Sequence, residues 1–535
     1  MKNKLLHFFT ITLMLLLSQF GFSTNPSLGT AGDFVIFTTV GGLTNTGHTL
    51  LTGNVGTNNG AVGGFGNVNG GMHNADGVTA AAATDLLTAY NLLNSAIPTF
   101  FPAPLLGNGQ TLTAGIYSIA ESASLNNKLY LDGEDNANAE FIIKIGGAFS
   151  TAALSEVVLL NGAKACNVFW KVEGLVDMAS GTIMKGNIVA NNGAIVMNSG
   201  VQLEGRALST TGAITADGVI AFTPVGCGSA TLNGPLAPDL KSTSCYALFT
   251  AAGGMTNSGV SFITGDVGTN VGLTTGFQEL NVTGLIHPIP DASTAAVTAD
   301  LIDLHTYLNN LTHDIELLFP AQFGNDLELT PHTYLLNAAT VLTDNLYLNA
   351  LGNPDAVFVI KITGALSTST YAKVLLTNGA QAKNVYWKVT GAVEINDYSE
   401  FKGVIVANNG AINIKTGVEL LGRALSTSGA VSTEAVTITM QTPCTNPTTG
   451  IENATNNKLA TVITSYSGQK LEIQLAGTEV SPNTKFYIYN TTGSLLVSTA
   501  ITESRTTINS NFPTGIYFYK LSSNAGSQKG KFIVR

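Results

Sequence analysis

KGNIVANNGAI at 185–195 returns as KGVIVANNGAI at 402–412, 217 residues further along the chain. With the same displacement, GAKACNVFWKV (162–172) returns as GAQAKNVYWKV (379–389), and GRALST occurs at 205–210 and 422–427. The openings match as well, LTNTGHTLLTGNVGTN (43–58) against MTNSGVSFITGDVGTN (255–270). Several motifs repeated in one order indicate a duplicated unit, so the sequence predicts two tandem copies of one domain.

The composition limits the class of protein. The 535 residues leave room for about three domains. There are 24 Lys and Arg against 34 Asp and Glu, a net charge of −10, which argues against nucleic acid as a partner because no excess of cations can replace its counterions. Apolar residues make up 44% of the chain, too many for a disordered one, and 58 glycines suit many tight turns.

The first residues look like an export signal. Lys2 and Lys4 precede the apolar run 5–17, and Gly21 and Ser23 follow it, the layout of a secretory signal peptide. No later stretch offers the roughly 20 consecutive apolar residues of a spanning helix. The predicted organisation is a signal peptide at 1–23, a first copy at 24–228, a linker at 229–244, a second copy at 245–444, a second linker at 445–458 and a C-terminal module at 459–535.

Each copy contains one segment with helical periodicity. In each segment apolar residues recur at helical spacing and form a stripe along one face. The first segment begins after Asp76 as N-cap and ends before Pro98, and the second lies between Asp291 and Pro320. The stripes consist of Leu86, Tyr90, Leu93 and Ile97 in the first copy, and of Leu301, Leu304, Leu308, Leu311, Ile315 and Leu318 in the second.

Short β-rich runs follow each helix, for example EFIIKI (140–145) and NVFWKV (167–172), with Gly and Asn in the turns between them. This texture favours a β-solenoid with the helix packed along one side, and a β-sandwich remains the alternative. Beyond 459, KLEIQL (470–475), KFYIYN (485–490) and GIYFYKL (515–521) alternate as the strands of a small separate β-sandwich.

The two copies resemble a known family. The segments GTAGDFVIFTTVGGLTNTG, MHNADGVTAAAATDL, ACNVFWKV, KGNIVANNGAI and GRALSTTGAI are similar to the microbial ice-binding, or antifreeze, domain of the discontinuous right-handed β-helix type. The resemblance covers about 28–224 and 246–442. It implies two three-faced right-handed β-solenoids, a flat face that binds ice, no cofactor, no metal and no catalysis.

The C-terminal module resembles the type A sorting domain of the type IX secretion system of Bacteroidetes-like bacteria. The ending FPTGIYFYKL…GKFIVR carries the matching residues Gly515, Tyr517, Gly530 and Lys531, whereas the usual Pro-Asn-Pro is replaced by LATVITSYSG. The resemblance implies that the secretion machinery is a partner, and that the chain passes through the periplasm and across the outer membrane to be secreted or held at the cell surface.

A flat strand face could hold water in an ice-like order. Outward residues i and i+2 lie about 6.6 Å apart and successive rungs about 4.8 Å apart, and Thr is short and stiff. The family's loose pattern on this face is Thr-Ala/Gly-x-Thr/Asn. It yields eight predicted contact residues: Thr46, Thr49, Ser180, Thr182 and Ser199 in the first copy, and Ser258, Ser261 and Thr416 in the second.

Charged residues at the last position of the pattern, Lys373, Glu400 and Glu419, predict that the second copy has the rougher face and binds ice less well. The alternative explanation of the whole pattern is that Thr and Ser are common in exposed strands.

Four cysteines in an exported chain are expected to form disulfides. They allow three pairings, of which we expect Cys166–Cys227 and Cys245–Cys444, one in each copy, against free or otherwise paired thiols. No CxxC or Cys/His zinc spacing is present.

Other candidate sites are weaker. His305 and His313 have no counterpart in the first copy, and the acids of LDGEDNANAE (131–140) lack the spacing of a calcium loop. Arg206 and Arg423 occupy equivalent turns, where we expect structural hydrogen bonds. An enzyme of the polysaccharide lyase kind would need a repeated acid and base cluster, which is absent from the sequence. A surface adhesin that binds glycan, protein or a neighbouring cell through the same solenoid remains the main competing function.

Overall fold

The computed structural model describes residues 26–224, 232–441 and 461–534, except 468, 477–479, 481–482, 492 and 524–525. The predicted signal peptide, the linker at 445–458, Cys227 and Cys444 lie outside the described residues. The chain divides into two compact units at 444/445, so both copies belong to one unit and the C-terminal module forms the other.

The first copy contains β1 Phe34–Thr38, β2 Leu43–Thr46, β3 Leu50–Thr52, β4 Asn54–Thr57, β5 Val62–Gly63, β6 Met72–Asn74, helix α1 Gly77–Ser95, β7 Leu105–Gly107, β8 Gln110–Thr113, β9 Gly115–Ile119, β10 Ala123–Asn126, β11 Lys128–Asp132, β12 Phe141–Ile145, β13 Phe149–Thr151, β14 Glu156–Leu160, β15 Val168–Glu173, β16 Val176–Met178, β17 Ile183–Asn191, β18 Ile195–Met197, β19 Gln202–Ser209, β20 Ile214–Asp217 and β21 Ile220–Phe222.

The second copy contains β22 Tyr246–Thr250, β23 Met255–Ser258, β24 Phe262–Thr264, β25 Asp266–Thr269, β26 Thr274–Thr275, β27 Val282–Thr283, β28 Ile286–His287, helix α2 Ala292–Asn310, β29 Ile315–Glu316, β30 Phe323–Gly324, β31 Leu327–Leu329, β32 Thr333–Leu336, β33 Thr340–Thr343, β34 Asn345–Asn349, β35 Phe358–Ile362, β36 Leu366–Thr368, β37 Lys373–Thr377, β38 Val385–Val389, β39 Val393–Ile395, β40 Glu400–Ala407, β41 Ile412–Ile414, β42 Glu419–Ser426, β43 Val431–Glu434 and β44 Thr437–Thr439.

Short 3-10 helices occur at Gly29–Asp33, Ala165–Asn167, Lys241–Cys245, Glu279–Asn281, Pro320–Gln322 and Ala382–Asn384.

Every named strand pair within the two copies is parallel, which confirms the β-solenoid and makes the sandwich alternative wrong for these domains. In the first copy one face is an eight-stranded sheet in the order β5-β2-β20-β18-β16-β13-β10-β7. We call this sheet the flat face. The second copy has the equivalent sheet β26-β23-β43-β41-β39-β36-β33-β30.

The remaining strands of the first copy form a second face and a helix-covered face. The long strands β17 and β19 belong to both, and they turn the corner at Gly186 and Gly205. No side chain fits there, since a Cβ on Gly205 would lie 1.9 Å from the Gly186 carbonyl oxygen.

The solenoid is discontinuous in sequence. Strands β2 and β5 lie at one end of the flat face and β7 lies at the other, and β20, near the end of the copy, pairs with β2. The chain therefore starts at one end, α1 follows, and the later strands build the stack back up from the far end.

The core of each copy is a column of apolar side chains inside the coil, such as Val168, Trp170 and Ile188, all fully buried in the first copy. A second apolar layer lies between the helix and its face. In the first copy Leu86 and Leu93 of α1 are buried in one cluster with Phe37 of β1, Phe169 of β15 and Val189 of β17.

Both predicted N-caps are confirmed. The Asp76 carboxylate accepts a hydrogen bond from the Thr79 amide at 2.8 Å, and Asp291 caps α2 through the Thr294 amide at 3.0 Å, each within a reciprocal capping box.

The C-terminal ends of the predicted stripes are wrong. Helix α1 ends at Ser95, and Ile97 is 81% exposed beyond it. Helix α2 ends at Asn310, Leu311 follows as its C-cap residue, Ile315 begins β29 and Leu318 is 50% exposed. The apolar spacing continued past the helix because Ile315 serves the sheet core, where it is buried.

The C-terminal unit contains β45 Thr461–Ser467, β46 Lys470–Ala476, β47 Lys485–Tyr489, β48 Leu495–Ala500, β49 Arg505–Asn509, β50 Gly515–Ser523 and β51 Gly526–Val534. They form antiparallel sheets in the orders β45-β46-β49 and β48-β47-β50-β51, which share one apolar core. The predicted small β-sandwich is confirmed.

Candidate functional site

The flat face of the first copy presents short side chains. Its strands alternate, as in β2, where Leu43 is buried and Thr44 exposed. Gly63 of β5 and the exposed Leu105 of β7 lie at the two ends of a row of outward residues. Between them the register places one residue from each of the six inner strands: Thr44, Thr215, Val196, Asp177, Ser150 and Ser124. None of these six side chains is long or flexible, so the surface they form has a nearly constant height.

A second outward row runs beside the first, at the corner where the chain passes from the flat face to the second face. Thr46 and Asp217 are paired in it, and the Thr46 hydroxyl donates a 2.9 Å hydrogen bond to the Asp217 carboxylate. On the inner rungs the Asn198 amide donates to the Asp177 carboxylate at 3.0 Å. These bonds between rungs fix the rotamers of the polar groups, so ordering water on them costs little additional side-chain entropy.

The flat face of the second copy has the same register but longer charged groups. Its first row is Thr275, Thr256, Ser432, Asn413, Glu394, Ser367 and Val341. Glu394 approaches the Lys415 ammonium at 3.7 Å, and Glu434 is exposed beside Ser258. Long charged side chains therefore project from this face, whereas the described strands of the first flat face carry as charged residues the two short aspartates Asp177 and Asp217.

The structure places five of the eight predicted contact residues at the surface of the flat-face corner. Thr46, Ser180, Ser199 and Ser258 are exposed, and Thr416 is half-buried. They lie just before turns such as Gly47 and Gly181, whose φ angles of 69° and 71° favour glycine.

The other three are directed inward. Thr182 is 0% exposed and donates to the Ala179 carbonyl, and Ser261 is 5% exposed and donates to the Asn257 side chain at 2.6 Å. Thr49 is half-buried, and its hydroxyl donates a 2.6 Å hydrogen bond to the Asn45 side chain. We therefore withdraw Thr182, Ser261 and Thr49 from the contact set.

The inward direction of Thr49 and Ser261 has a local cause. Val219 and Val436 donate backbone hydrogen bonds to these hydroxyls, at 3.1 and 3.0 Å. Thr49, Ser261 and Thr182 each directly precede the first residue of a strand on the second face, Leu50, Phe262 and Ile183 respectively, and this position lies inside the coil.

The charged residues used to predict a rough face lie around the corner from it. Lys373, Glu400 and Glu419 begin β37, β40 and β42 on the second face, and Lys373 pairs with Glu400 at 2.7 Å. The prediction that these three residues roughen the flat face is therefore wrong. The charges that do project from the flat face of the second copy are Glu394, Lys415 and Glu434.

Sequence reasoning missed the first outward row, which includes Thr44, Thr215 and Ser150. The period-two alternation in LTNT (43–46), AITAD (213–217) and AFST (148–151) was the signal that could have found it.

Cys166 and Cys245 are both disulfide-bonded. Their predicted partners lie outside the described residues, so the pairing stays a prediction. Among the residues that the structure describes, no group of three or more His, Cys, Asp or Glu side chains is arranged to hold a metal ion. In the same residues we find no helix long and apolar enough to cross a membrane.

The two arginines bind backbone, as expected. Arg206 donates to the Gly32 carbonyl and to the Asn187 side chain, each at 2.7 Å, and burial lowers its pKa to about 10. Arg423 donates to the Ser244 carbonyl at 2.7 Å. Each arginine thus ties the entry of its copy to the middle of the solenoid.

The fold and the face define a tandem β-solenoid protein with a flat, hydroxyl-bearing surface on each copy. Residues 37–220 and 249–439 match the model of the ice-binding-like family, and residues 446–535 match the secretion system C-terminal sorting domain. The chain belongs to the ice-binding-like family.

Several relatives bear names that state their ligand. A crystal structure of an ice-binding protein from an Antarctic bacterium of the Flavobacteriaceae is similar at 61% identity and a TM-score of 0.77, and covers 79% of this chain and 100% of that one. The ice-binding protein of Nostoc sp. is 40% identical over 195 residues, 36% of this chain and 71% of the relative. The ice-binding protein of Flavobacterium frigoris is 30% identical over 204 residues, which cover 35% of this chain and 71% of the relative.

The predicted sorting residues lie on the paired strands β50 and β51. The buried Tyr517 donates its hydroxyl to the Pro513 carbonyl at 2.8 Å. Gly530 lies against the Tyr519 ring, where an added Cβ would be 2.4 Å from ring atoms. Gly515 begins β50, and Lys531 is exposed opposite Phe518.

Proposed function

We propose that this protein binds ice through the flat faces of its two solenoids and inhibits the growth or recrystallisation of ice without catalysis. The observation that carries the proposal is the row of short outward side chains on successive parallel rungs, with Thr44, Thr215 and Ser150 among them. Rungs about 4.8 Å apart can order water in a regular grid. The relatives are ice-binding proteins, which supports ice as the ligand here.

The first copy carries the stronger face in this proposal. Its charged groups on the face, Asp177 and Asp217, are short and held by Asn198 and Thr46. Glu394, Lys415 and Glu434 on the second copy hold water in shells that move with the side chain, which disturbs an ice-like order. The contact set comprises the first row together with Thr46, Ser180 and Ser199, and Ser258 and Thr416 contribute on the second copy.

The C-terminal unit serves export in this proposal. Its match to a sorting domain supports passage through the type IX machinery to the medium or the cell surface, which is where ice forms. The sorting residues Tyr517 and Gly530 fix the packing of β50 on β51, and Lys531 is free to meet the machinery on the exposed side.

Thermal hysteresis and ice recrystallisation inhibition test the function. The whole mature chain is compared with Thr46→Tyr and with Ser258→Tyr, the equivalent change in the second copy. Both variants place a large ring at an exposed position of the corner row. We expect the chain to inhibit ice, and Thr46→Tyr to lower the activity more than Ser258→Tyr does. A wild-type chain that leaves ice growth unchanged at high concentration refutes the function, and glycan and cell-binding assays then test the adhesin alternative.

A further inference from the structure

The two solenoids meet end to end through buried polar contacts. The Asn69 amide donates to the Thr330 hydroxyl at 3.1 Å, and the Tyr334 hydroxyl donates to the Asn69 side-chain oxygen at 2.7 Å. All three side chains are at least 97% buried, since Asn69 and Thr330 are 3% and Tyr334 0% exposed. A buried amide that is hydrogen-bonded at both its nitrogen and its oxygen favours one geometry, because a shift leaves a polar group unpaired.

A second clamp lies nearer the flat face. The Asn67 side chain donates to the Phe319 carbonyl at 2.8 Å and accepts from the Phe319 amide at 2.9 Å. At the corner itself, His48 Nε2 donates to the Asn325 carbonyl at 2.8 Å. The junction is therefore held at three separate places around the coil.

These contacts join equivalent parts of the two coils. His48 lies in the corner turn between β2 and β3, and Asn325 lies in the corresponding turn between β30 and β31. Strand β3 lies against β31, and both belong to the second face of their copy. Beside the corner, Gly64 and Asn67, which follow β5, line a polar cleft of about 380 Å³ together with Gln322 and Gly324 of the β30 region.

Edge strand β5 of one flat face is thus the neighbour of edge strand β30 of the other. Because corner meets corner and second face meets second face, there is no large rotation about the solenoid axis between the copies. Both flat faces point to the same side of the molecule.

We propose that the junction holds the two flat faces as one rigid surface, and that Asn67 and Asn69 are positioning residues for ice contact by both copies together. This rests on the proposed function. Two faces that meet the same crystal in a fixed orientation gain the effective concentration of an intramolecular second contact, so the tandem adsorbs far more tightly than either face alone.

The test measures the protein concentration that gives half-saturation of an ice surface by labelled mature chain. Thr215→Tyr blocks the first face, and Ser432→Tyr blocks the second at the equivalent position. Asn67→Ala with Asn69→Ala loosens the junction. Asn281→Ala is the matched control, because Asn281 is the counterpart of Asn67 in the second copy and lies at the end of that copy away from the junction. Small-angle X-ray scattering reports whether the copies separate, and circular dichroism reports whether each stays folded.

We expect each single-face variant to need at least a tenfold higher concentration than wild type. Loosening the junction should raise the wild-type value to that of the better single-face variant, and leave the single-face variants and the Asn281→Ala chain unchanged. If scattering shows that the copies of the double variant have separated and the variant still adsorbs like wild type, the proposal is overturned. So would a Ser432→Tyr chain that adsorbs like wild type, since only one face would then be in use. If wild type itself does not adsorb to ice, the proposed function has failed rather than the junction.

Thr330→Val provides a second route if the double variant unfolds. It removes the hydroxyl partner of Asn69 with little change of shape, and it should shift half-saturation in the same direction by a smaller factor. An unchanged value together with a scattering curve that shows separated copies contradicts the proposal here too.

Discussion

Some Thr and Ser hydroxyls of the two solenoids point into the coil, and others point outward from the flat face. Inward ones satisfy the turns of the coil, as when Thr38 and Ser209 donate to the carbonyls of Gly212 and Gly193 at 2.8 and 2.9 Å. Outward ones lie in rows on the flat face, as Thr44 and Thr215 do. The residue type alone cannot separate the two, because the direction depends on where in the corner turn the residue falls, and the position directly before the next strand lies inside the coil. For this reason Thr182 and Ser261 could not be assigned correctly from the sequence, whereas Thr46 and Ser199 could be placed at the surface.

The stacked corner glycines give a prediction for stability. A Cβ on Gly193 would lie 1.9 Å from the Gly174 carbonyl oxygen, so Gly193→Ala forces the backbone of the corner apart. We expect a loss of about 2–4 kcal/mol, the range of a severe local clash, in the free energy of unfolding measured with denaturant. Gly77→Ala is the control, because nothing lies within 4 Å of that Cβ position. Equal stabilities of the two variants would show that the corner tolerates side chains.

Glu140 gives a prediction about pH. Burial raises the pKa of this carboxyl to about 7, and its Oε1 atom has no hydrogen-bond partner among the described residues. The folded chain therefore binds the proton more tightly than the unfolded chain, and stability falls as the pH rises through about 7. Glu140→Gln should melt at a higher temperature than wild type at pH 8.5 and lose this advantage at pH 5. The exposed Glu121→Gln serves as control, and an advantage that does not depend on pH would contradict the assignment.

At the scale of elements, the two helices show what local sequence can determine. Their starts were predictable because Asp76 and Asp291 cap the first turn through short-range bonds. Their ends were not, since each is fixed by a distant strand. Lys144 of β12 donates to the carbonyls of Asn94 and Ala96, at 2.8 and 2.7 Å. A lysine at the C-terminal end of a helix binds free carbonyls and complements the helix dipole.

The cap of α1 can be tested directly. Asp76→Ala removes the acceptor for the Thr79 amide and should lower the free energy of unfolding by about 1 kcal/mol. Asp76→Ser keeps a capping oxygen and should lose much less. The measurement is chemical denaturation followed by circular dichroism. If the two variants are equally destabilised, the Asp76 side chain contributes through its charge or its contact with His73 rather than as a cap.

At the scale of the whole molecule, the duplication and the solenoid were predictable because they rest on motifs that recur in order, such as KGNIVANNGAI and KGVIVANNGAI. The orientation of the copies was not, because it depends on single residues such as Asn69, which meets Thr330 and Tyr334 across the junction. Those residues are 261 and 265 positions away in sequence and belong to no shared motif.

The disulfides give a prediction at this scale. Cys166 and Cys245 are bonded, and we expect Cys227 and Cys444 as their respective partners. Peptide mapping without reductant should recover these two linked pairs. Reduction should destabilise each copy, by about 2–4 kcal/mol for each bridge. Recovery of a Cys166–Cys444 peptide would contradict the pairing and would mean that a bridge connects the two copies.

The most direct test of the central claim compares ice adsorption by the mature wild-type chain, by Thr215→Tyr and by Thr111→Tyr. Thr215 points outward from the middle of the first flat face, and Thr111 points outward from β8 on the second face. If the flat face binds ice, Thr215→Tyr loses most of the adsorption and Thr111→Tyr retains it, with both chains as stable as wild type. Adsorption that survives Thr215→Tyr and is lost in Thr111→Tyr would contradict the account and place the ice-binding surface on the second face.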